Sequence, residues 1–145
     1  MTDLVPFLMF QKRDAAEAMA FYTGLFPGDR VLSDERYGAG GPGPEGTIVM
    51  AEFTVAGQRV RCSDSFVRHA FDFTPSTSLF VTVDSPEDLK RVTDALSEGG
   101  GTLMPLDDYG FGPFAWVNDR WGVSWQLSAP VPSRPRSRFG NFQRH

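Results

Sequence analysis

The stretch "TIVMAEFTVAGQRVRCS", residues 47–63, sets the frame for the rest of the chain. Its two arms are rich in β-branched and apolar residues, and Ala56-Gly57 lies between them as a two-residue hairpin turn. That turn dictates a register: Val55 opposite Gln58, Phe53 opposite Val60, Glu52 opposite Arg61. Side chains alternate along a strand. Phe53 and Val60 therefore form an expected core pair, with Cys62 packed on the same side as a small apolar residue. Glu52 and Arg61 share the opposite face.

Upstream, "LVPFLMFQ" (4–11) is a short apolar strand, and "DAAEAMAFYTGLFPG" (14–28) reads as a helix. Asp14 and Glu17 have capping-box spacing, Ala18, Phe21, Tyr22 and Leu25 make a buried stripe, and Pro27-Gly28 is a stop. "DRVLSDERY" (29–37) is a further strand, and the loop "GAGGPGPEG" (38–46) leads into the hairpin. Because that loop opens a strand rather than a helix, it is expected to be a flexible loop or lid, not a phosphate cradle.

Beyond a connector, the order repeats. "TSLFVTVD" (77–84) is a strand. "SPEDLKRVTDALSEGGG" (85–101) is a helix with Ser85 as N-cap, Pro86 in its first turn, an apolar stripe of Leu89, Val92 and Leu96 with Ala95 beside it, and terminal glycines. "TLMPLDD" (102–108), "PFAWVND" (113–119) and "VSWQLS" (123–128) are three strands. Each half reads β-α-β-β-β. This order, with one sheet face covered by helix, gives an α+β class. Each half is too small to bury its sheet alone, so two curved mixed sheets are expected to pair around a cleft. The expected layout is one domain over 1–128, with module one at 4–64 and module two at 77–128, and a Pro/Arg-rich tail over 129–145.

Composition narrows the class. The chain has 145 residues, 41% hydrophobic and 22% charged, as in soluble globular proteins. No apolar run approaches the roughly 18 residues of a membrane span, and no secretory signal is visible. A single cysteine fits a reducing cytoplasm. All 18 acidic residues precede Ala129 together with ten of the 14 basic ones, leaving the body near −8 and arguing against nucleic-acid binding.

Seven blocks carry a family resemblance: "VPFLMF" (5–10), "AEAMAFYTGLFPG" (16–28), "RYGAGGPGPEG" (36–46), "AEFTVAGQRV" (51–60), "SLFVTVD" (78–84), "LSEGG" (96–100) and "NDRWGVSWQ" (118–126). Together they resemble the PhnB-like subgroup, often labelled 3-demethylubiquinone-9 3-methyltransferase-like, of the vicinal oxygen chelate (glyoxalase and bleomycin-resistance) superfamily. The resemblance implies a glyoxalase-like domain, a homodimer and a small-molecule ligand. It also places the metal-ligand positions of metal-dependent members at Pro6, Ser78 and Gln126. Proline has no donor, serine is a poor ligand, and glutamine offers one neutral oxygen, whereas divalent metals of this class want imidazole and carboxylate. No cofactor is expected on this basis. A metal-dependent lyase, isomerase, dioxygenase or resistance enzyme is the alternative, and a methyltransferase the lesser one.

Alternation assigns the cleft lining. Val123, Trp125 and Leu127 turn to the helices, leaving Ser124, Gln126 and Ser128 in the cleft. Leu79, Val81 and Val83 do likewise, leaving Ser78, Phe80 and Thr82. In the first strand Phe7 and Met9 are expected at the helices, and Pro6, Leu8 and Phe10 in the cleft. The substrate-binding candidates are Phe10, Glu52, Arg61, Asp64, Ser78, Phe80, Trp116, Ser124 and Gln126. Glu52 and Arg61 stay open between two readings: a cross-strand ion pair, or an anion anchor beside a carboxylate that positions it or acts as a base. Asp64 is either a turn residue or part of the cleft rim. His69 is a surface or packed histidine, or a proton carrier. Trp116 and Trp121 belong to the core or the cleft wall.

Overall fold

The computed structural model describes residues 1–131. The tail expected over 129–145 lies outside the described residues from position 132 onward. Ten elements follow one another: β1 (Phe7–Phe10), α1 (Ala15–Thr23), β2 (Val31–Arg36), β3 (Ile48–Val55), β4 (Gln58–Asp64), β5 (Ser78–Thr82), α2 (Pro86–Ser97), β6 (Gly101–Asp108), β7 (Pro113–Asn118) and β8 (Ser124–Ser128). They form two four-stranded mixed sheets, of order β1-β4-β3-β2 and β5-β8-β7-β6. The second repeats the first position for position. In each, a parallel pair is closed by an antiparallel hairpin. The chain divides into two compact units, Met1–Ala70 and a second beginning at Phe71, each holding one sheet and one helix.

In the first unit the hairpin register is the expected one, with Val55 opposite Gln58, Phe53 opposite Val60 and Glu52 opposite Arg61. Ala56 (φ 50°) and Gly57 (φ 81°) both take the left-handed conformation that a tight hairpin of this twist requires. Alanine pays strain there. Asp29 offsets it by accepting the Ala56 and Gly57 N–H groups at 2.7 and 3.0 Å. Helix α1 packs against β3 and β4 through Ala15, Ala18, Met19 and Tyr22, and the Tyr22 ring stacks on Phe53 at 6.1 Å between centroids.

The structure overturns two expectations. Asp14 stands at the N-cap of α1 but makes no side-chain cap hydrogen bond. The carboxylate of Asp64 takes that place, accepting the Ala15 N–H at 3.0 Å. Partial burial, with Asp64 nearby, pushes the Asp14 carboxyl above the ordinary carboxylate value. The faces of β1 are also reversed. The parallel ladder sets Phe7 beside Arg61 and Leu8 beside Cys62, so Leu8 and Phe10 are buried and Phe7 is exposed. The run "VPFLMF" is apolar at every position and holds no alternation from which a face could be read. At the neck of the glycine loop Tyr37 and Thr47 pair, and Gly43 lies so close to the Tyr37 ring that a Cβ there would stand 2.7 Å from Cε2.

In the second unit Ser85 caps α2 by accepting the Asp88 N–H at 3.1 Å, with Pro86 beginning the helix. Leu89, Val92 and Leu96 are buried as expected, joined by Thr93 rather than Ala95. Thr93 Oγ1 is buried and has no hydrogen-bond partner among the described residues. A buried hydroxyl in that state costs about 1 kcal/mol or more. Thr93→Val, which keeps the shape, is expected to raise the unfolding free energy by about 1 kcal/mol. Urea titration checks this, and a lower midpoint would show that the hydroxyl is engaged after all.

Candidate functional site

The face of the second sheet away from its buried row is a continuous band. Along the parallel pair β5/β8, Ser78 lies beside Ser124, Phe80 beside Gln126 and Thr82 beside Ser128. Across β7/β8, Trp116 faces Gln126 and Phe114 faces Ser128. Five of the residues expected in the cleft, Ser78, Phe80, Trp116, Ser124 and Gln126, thus meet on one surface.

At one end of the band the polar groups satisfy one another. Ser78 Oγ and Ser124 Oγ are 2.7 Å apart, Trp116 Nε1 donates to Ser124 Oγ at 2.8 Å, and Gln126 Nε2 donates to Ser78 Oγ at 3.3 Å. This network fixes the Trp116 ring and the Gln126 amide, and leaves the amide oxygen of Gln126 as an acceptor. At the other end the band is aromatic and open. Phe80 is 60% exposed and Phe111 67% exposed. Phe114 lies 6.3 Å from Phe80 and 5.4 Å from Phe111, centroid to centroid. A pocket of about 560 Å³ lies here, lined by Phe80, Thr82, Phe111, Phe114, Gln126 and Ser128 among others. Phe114 and Phe111 were both missed in the sequence, and Phe111 is the exposed one. It is held out by a loop in which Asp108 Oδ1 accepts the N–H groups of Gly110 and Gly112, at 2.8 and 3.1 Å. The signal was present as an aromatic residue between two glycines in a hairpin connection, "YGFGP" (109–113).

On the first unit, Glu52 and Arg61 meet at 2.9 Å through Arg61 Nε. A second arginine joins them: Arg59 Nε donates to the other Glu52 oxygen. Arg59 was also missed, though it precedes Arg61 by two residues and so shares its face. The two hydrogen bonds, from Arg59 first and Arg61 second, hold the Glu52 carboxyl below the ordinary carboxylate value. A carboxylate so held is a poor proton acceptor.

The remaining candidates lie elsewhere. Phe10 and Asp64 are on the buried face, at 2% and 6% exposure. Asp64 accepts the N–H groups of Ala15 and Ile48 and so ties α1 and β3 to the end of β4. His69 Nε2 is 2.9 Å from Ser65 Oγ, and its backbone N–H donates to Gln11. Cys62 is fully buried, and burial pushes its thiol up to about 12, which leaves it protonated and unreactive near neutrality. Trp121 is half-buried with the Arg120 guanidinium 5.2 Å above its ring.

The donor set does not fit a divalent metal. Pro6 has no donor atom, Ser78 Oγ is already bonded to Ser124, and Gln126 contributes a single amide. Among the described residues no group of three His, Cys, Asp or Glu side chains is arranged to hold a metal ion. No helix among them is long and apolar enough to cross a membrane.

A family described as 3-demethylubiquinone-9 3-methyltransferase matches residues 2–128. Among solved structures, the PhnB protein from Bacillus cereus is 46% identical, with a TM-score of 0.85 over 89% of this chain and 100% of its own. Protein PA1353 from Pseudomonas aeruginosa is 26% identical, with a TM-score of 0.75 over 89% of this chain and 98% of its own. The fosfomycin resistance protein FosX from Listeria monocytogenes shares the fold at 14% identity, with a TM-score of 0.61 over 90% of this chain and 95% of its own. No curated protein sequence matches. With one family spanning residues 2–128 and a 46% identical relative covered from end to end, the chain belongs to the PhnB-like family described as 3-demethylubiquinone-9 3-methyltransferase.

Proposed function

We propose that this family member binds a small molecule in the pocket on the second sheet. The ligand is a planar, largely apolar compound that bears a hydrogen-bonding group. The observation that carries this reading is the exposure of Phe80 and Phe111 around one pocket that also offers Gln126, Thr82 and Ser128. Large aromatic side chains gathered in the open forgo burial free energy of about 25 cal/mol per Å², and a contiguous exposed apolar patch marks a binding surface. The aromatic end supplies stacking area and the amide supplies orientation, the usual division of labour in small-molecule sites. The reading needs no metal, consistent with the donor set, and does not draw on the methyl transfer named in the family description. The homodimer and the cytoplasmic setting expected above go with this proposal.

A thermal-shift panel of aromatic compounds bearing carbonyl, hydroxyl or carboxyl groups tests it. A compound at 100 times its Kd is expected to stabilise the protein by about 2.7 kcal/mol, several degrees in Tm. Phe80→Ala alters an exposed residue and leaves the fold intact, and should abolish the gain. A panel without any response, or a gain that survives both Phe80→Ala and Gln126→Ala, would refute the assignment.

A further inference from the structure

The geometry points to a second candidate site, on the first unit: Arg59 and Arg61 form a receptor for an organic carboxylate on the exposed face of the first sheet, which Asp3 occupies in the free protein. Three observations support it. First, Asp3 engages Arg59 as a carboxylate ligand would, with Nη1 to Oδ1 at 3.0 Å and Nη2 to Oδ2 at 2.8 Å, from 56 positions away in the chain. Such a two-pronged contact is the preferred way for guanidinium to hold a carboxylate. Second, Glu52 lies beneath both arginines at 15% side-chain exposure and binds each through Nε, so both guanidinium groups are aimed outward by the same anchor. Arg61 is left with Nη1 and Nη2 making no hydrogen bond among the described residues. Third, Phe7 pairs with Arg61 across β1 and β4, shares its face, and is 48% exposed. An apolar wall thus adjoins the unfilled guanidinium edge.

These parts select a ligand class. Asp3 hydrogen-bonds Arg59 only, attracts Arg61 without bonding it, and brings no apolar body. A carboxylate on an aromatic or other apolar frame could take the Arg59 edge from Asp3, reach Arg61, and lie along Phe7. Asp3 is the weak point of the arrangement, since its side chain is 49% exposed and neighbouring Leu4 is 84% exposed. The segment before β1 therefore acts as a competing internal ligand. Asp3, Phe7, Glu52, Arg59 and Arg61 all belong to the first unit, so loss of ligand binding at the second-sheet pocket would leave them untouched.

Benzoate titration followed by the arginine side-chain N–H resonances tests this, with acetate as the headgroup alone. Saturable shifts at Arg59 and Arg61 are expected, with benzoate binding more tightly than acetate. Asp3→Asn removes the competitor and should tighten benzoate binding about fivefold, the order of an exposed ion pair. Arg61→Ala should abolish the effect while circular dichroism stays unchanged. Absence of saturable shifts in both the wild type and Asp3→Asn would overturn the site. So would binding that Arg61→Ala leaves intact. Equal affinity for acetate and benzoate would overturn the role given to Phe7.

Discussion

Replacing Asp64 with alanine is expected to cost the protein about 2 to 5 kcal/mol of stability, because it strands two buried backbone donors at once. Asp64 is 6% exposed, and its two oxygens accept from Ala15 at 3.0 Å and Ile48 at 2.8 Å. The first is an orphan N–H of helix α1, which its own N-cap residue leaves unsatisfied. The second opens β3. One carboxylate at the end of β4 therefore ties helix α1, 49 residues upstream, to both arms of the β3/β4 hairpin. Asp64→Asn separates shape from acceptor count: its amide has one oxygen for two donors and meets one N–H with another donor. It should fall between alanine and wild type. Urea unfolding with both variants is the measurement. A loss below about 0.5 kcal/mol for alanine, the ordinary range of surface substitutions, would mean that water replaces the carboxylate and that Asp64 has no anchoring role.

Asp64 also marks the boundary of what could be read from sequence. Its position at the end of a strand pointed to a turn or a rim. Its partner Ala15 lies 49 residues away, and nothing local announces a helix cap supplied from that distance. Ser85 was legible for the opposite reason, because its cap is made within three residues. The hairpin at 47–63 was legible through two agreeing constraints, a two-residue turn and a strict alternation, which left one register. Strand β1 offered neither, and its faces came out reversed. The second-sheet band could be assembled because Ser, Gln and Thr alternate with Trp, Leu and Val along β5 and β8. Phe111 and the Arg59–Asp3 contact could not. The first lies in a loop, where alternation says nothing. The second joins the arginine to a segment with no regular element of its own.

The larger loss is expected for Asp119→Ala, about 4 kcal/mol or more. Asp119 is 3% exposed and begins the turn "DRWGV" (119–123). Oδ1 accepts from the Trp121 and Val123 N–H groups at 2.9 and 3.0 Å, and Oδ2 from Trp125 Nε1 at 2.9 Å. Its backbone closes the same turn, donating to Val123 O at 2.8 Å and accepting from Gly122 N at 2.9 Å. Gly122 takes φ 94°, which the turn requires and glycine alone meets without strain. Alanine at 119 would take away the carboxylate that accepts the indole N–H of Trp125, a residue with no exposed surface. It would also release the turn that sets the first residue of β8. The backbone of Gly100 presses against this turn, where a Cβ would stand 2.1 Å from Asn118 O, so a displaced turn has little room to settle elsewhere. Because β8 carries Ser124 and Gln126, the damage should reach the pocket. Trp125→Phe removes the same hydrogen bond from the other side but also leaves a void where the larger indole packed, so its own cost includes a cavity term. Combined with Asp119→Ala it should add less than its own single effect, since the bond it removes is already gone. Strict additivity in that cycle would show that Asp119 and Trp125 act independently, and the order of the second-sheet face would then have to come from strand packing alone.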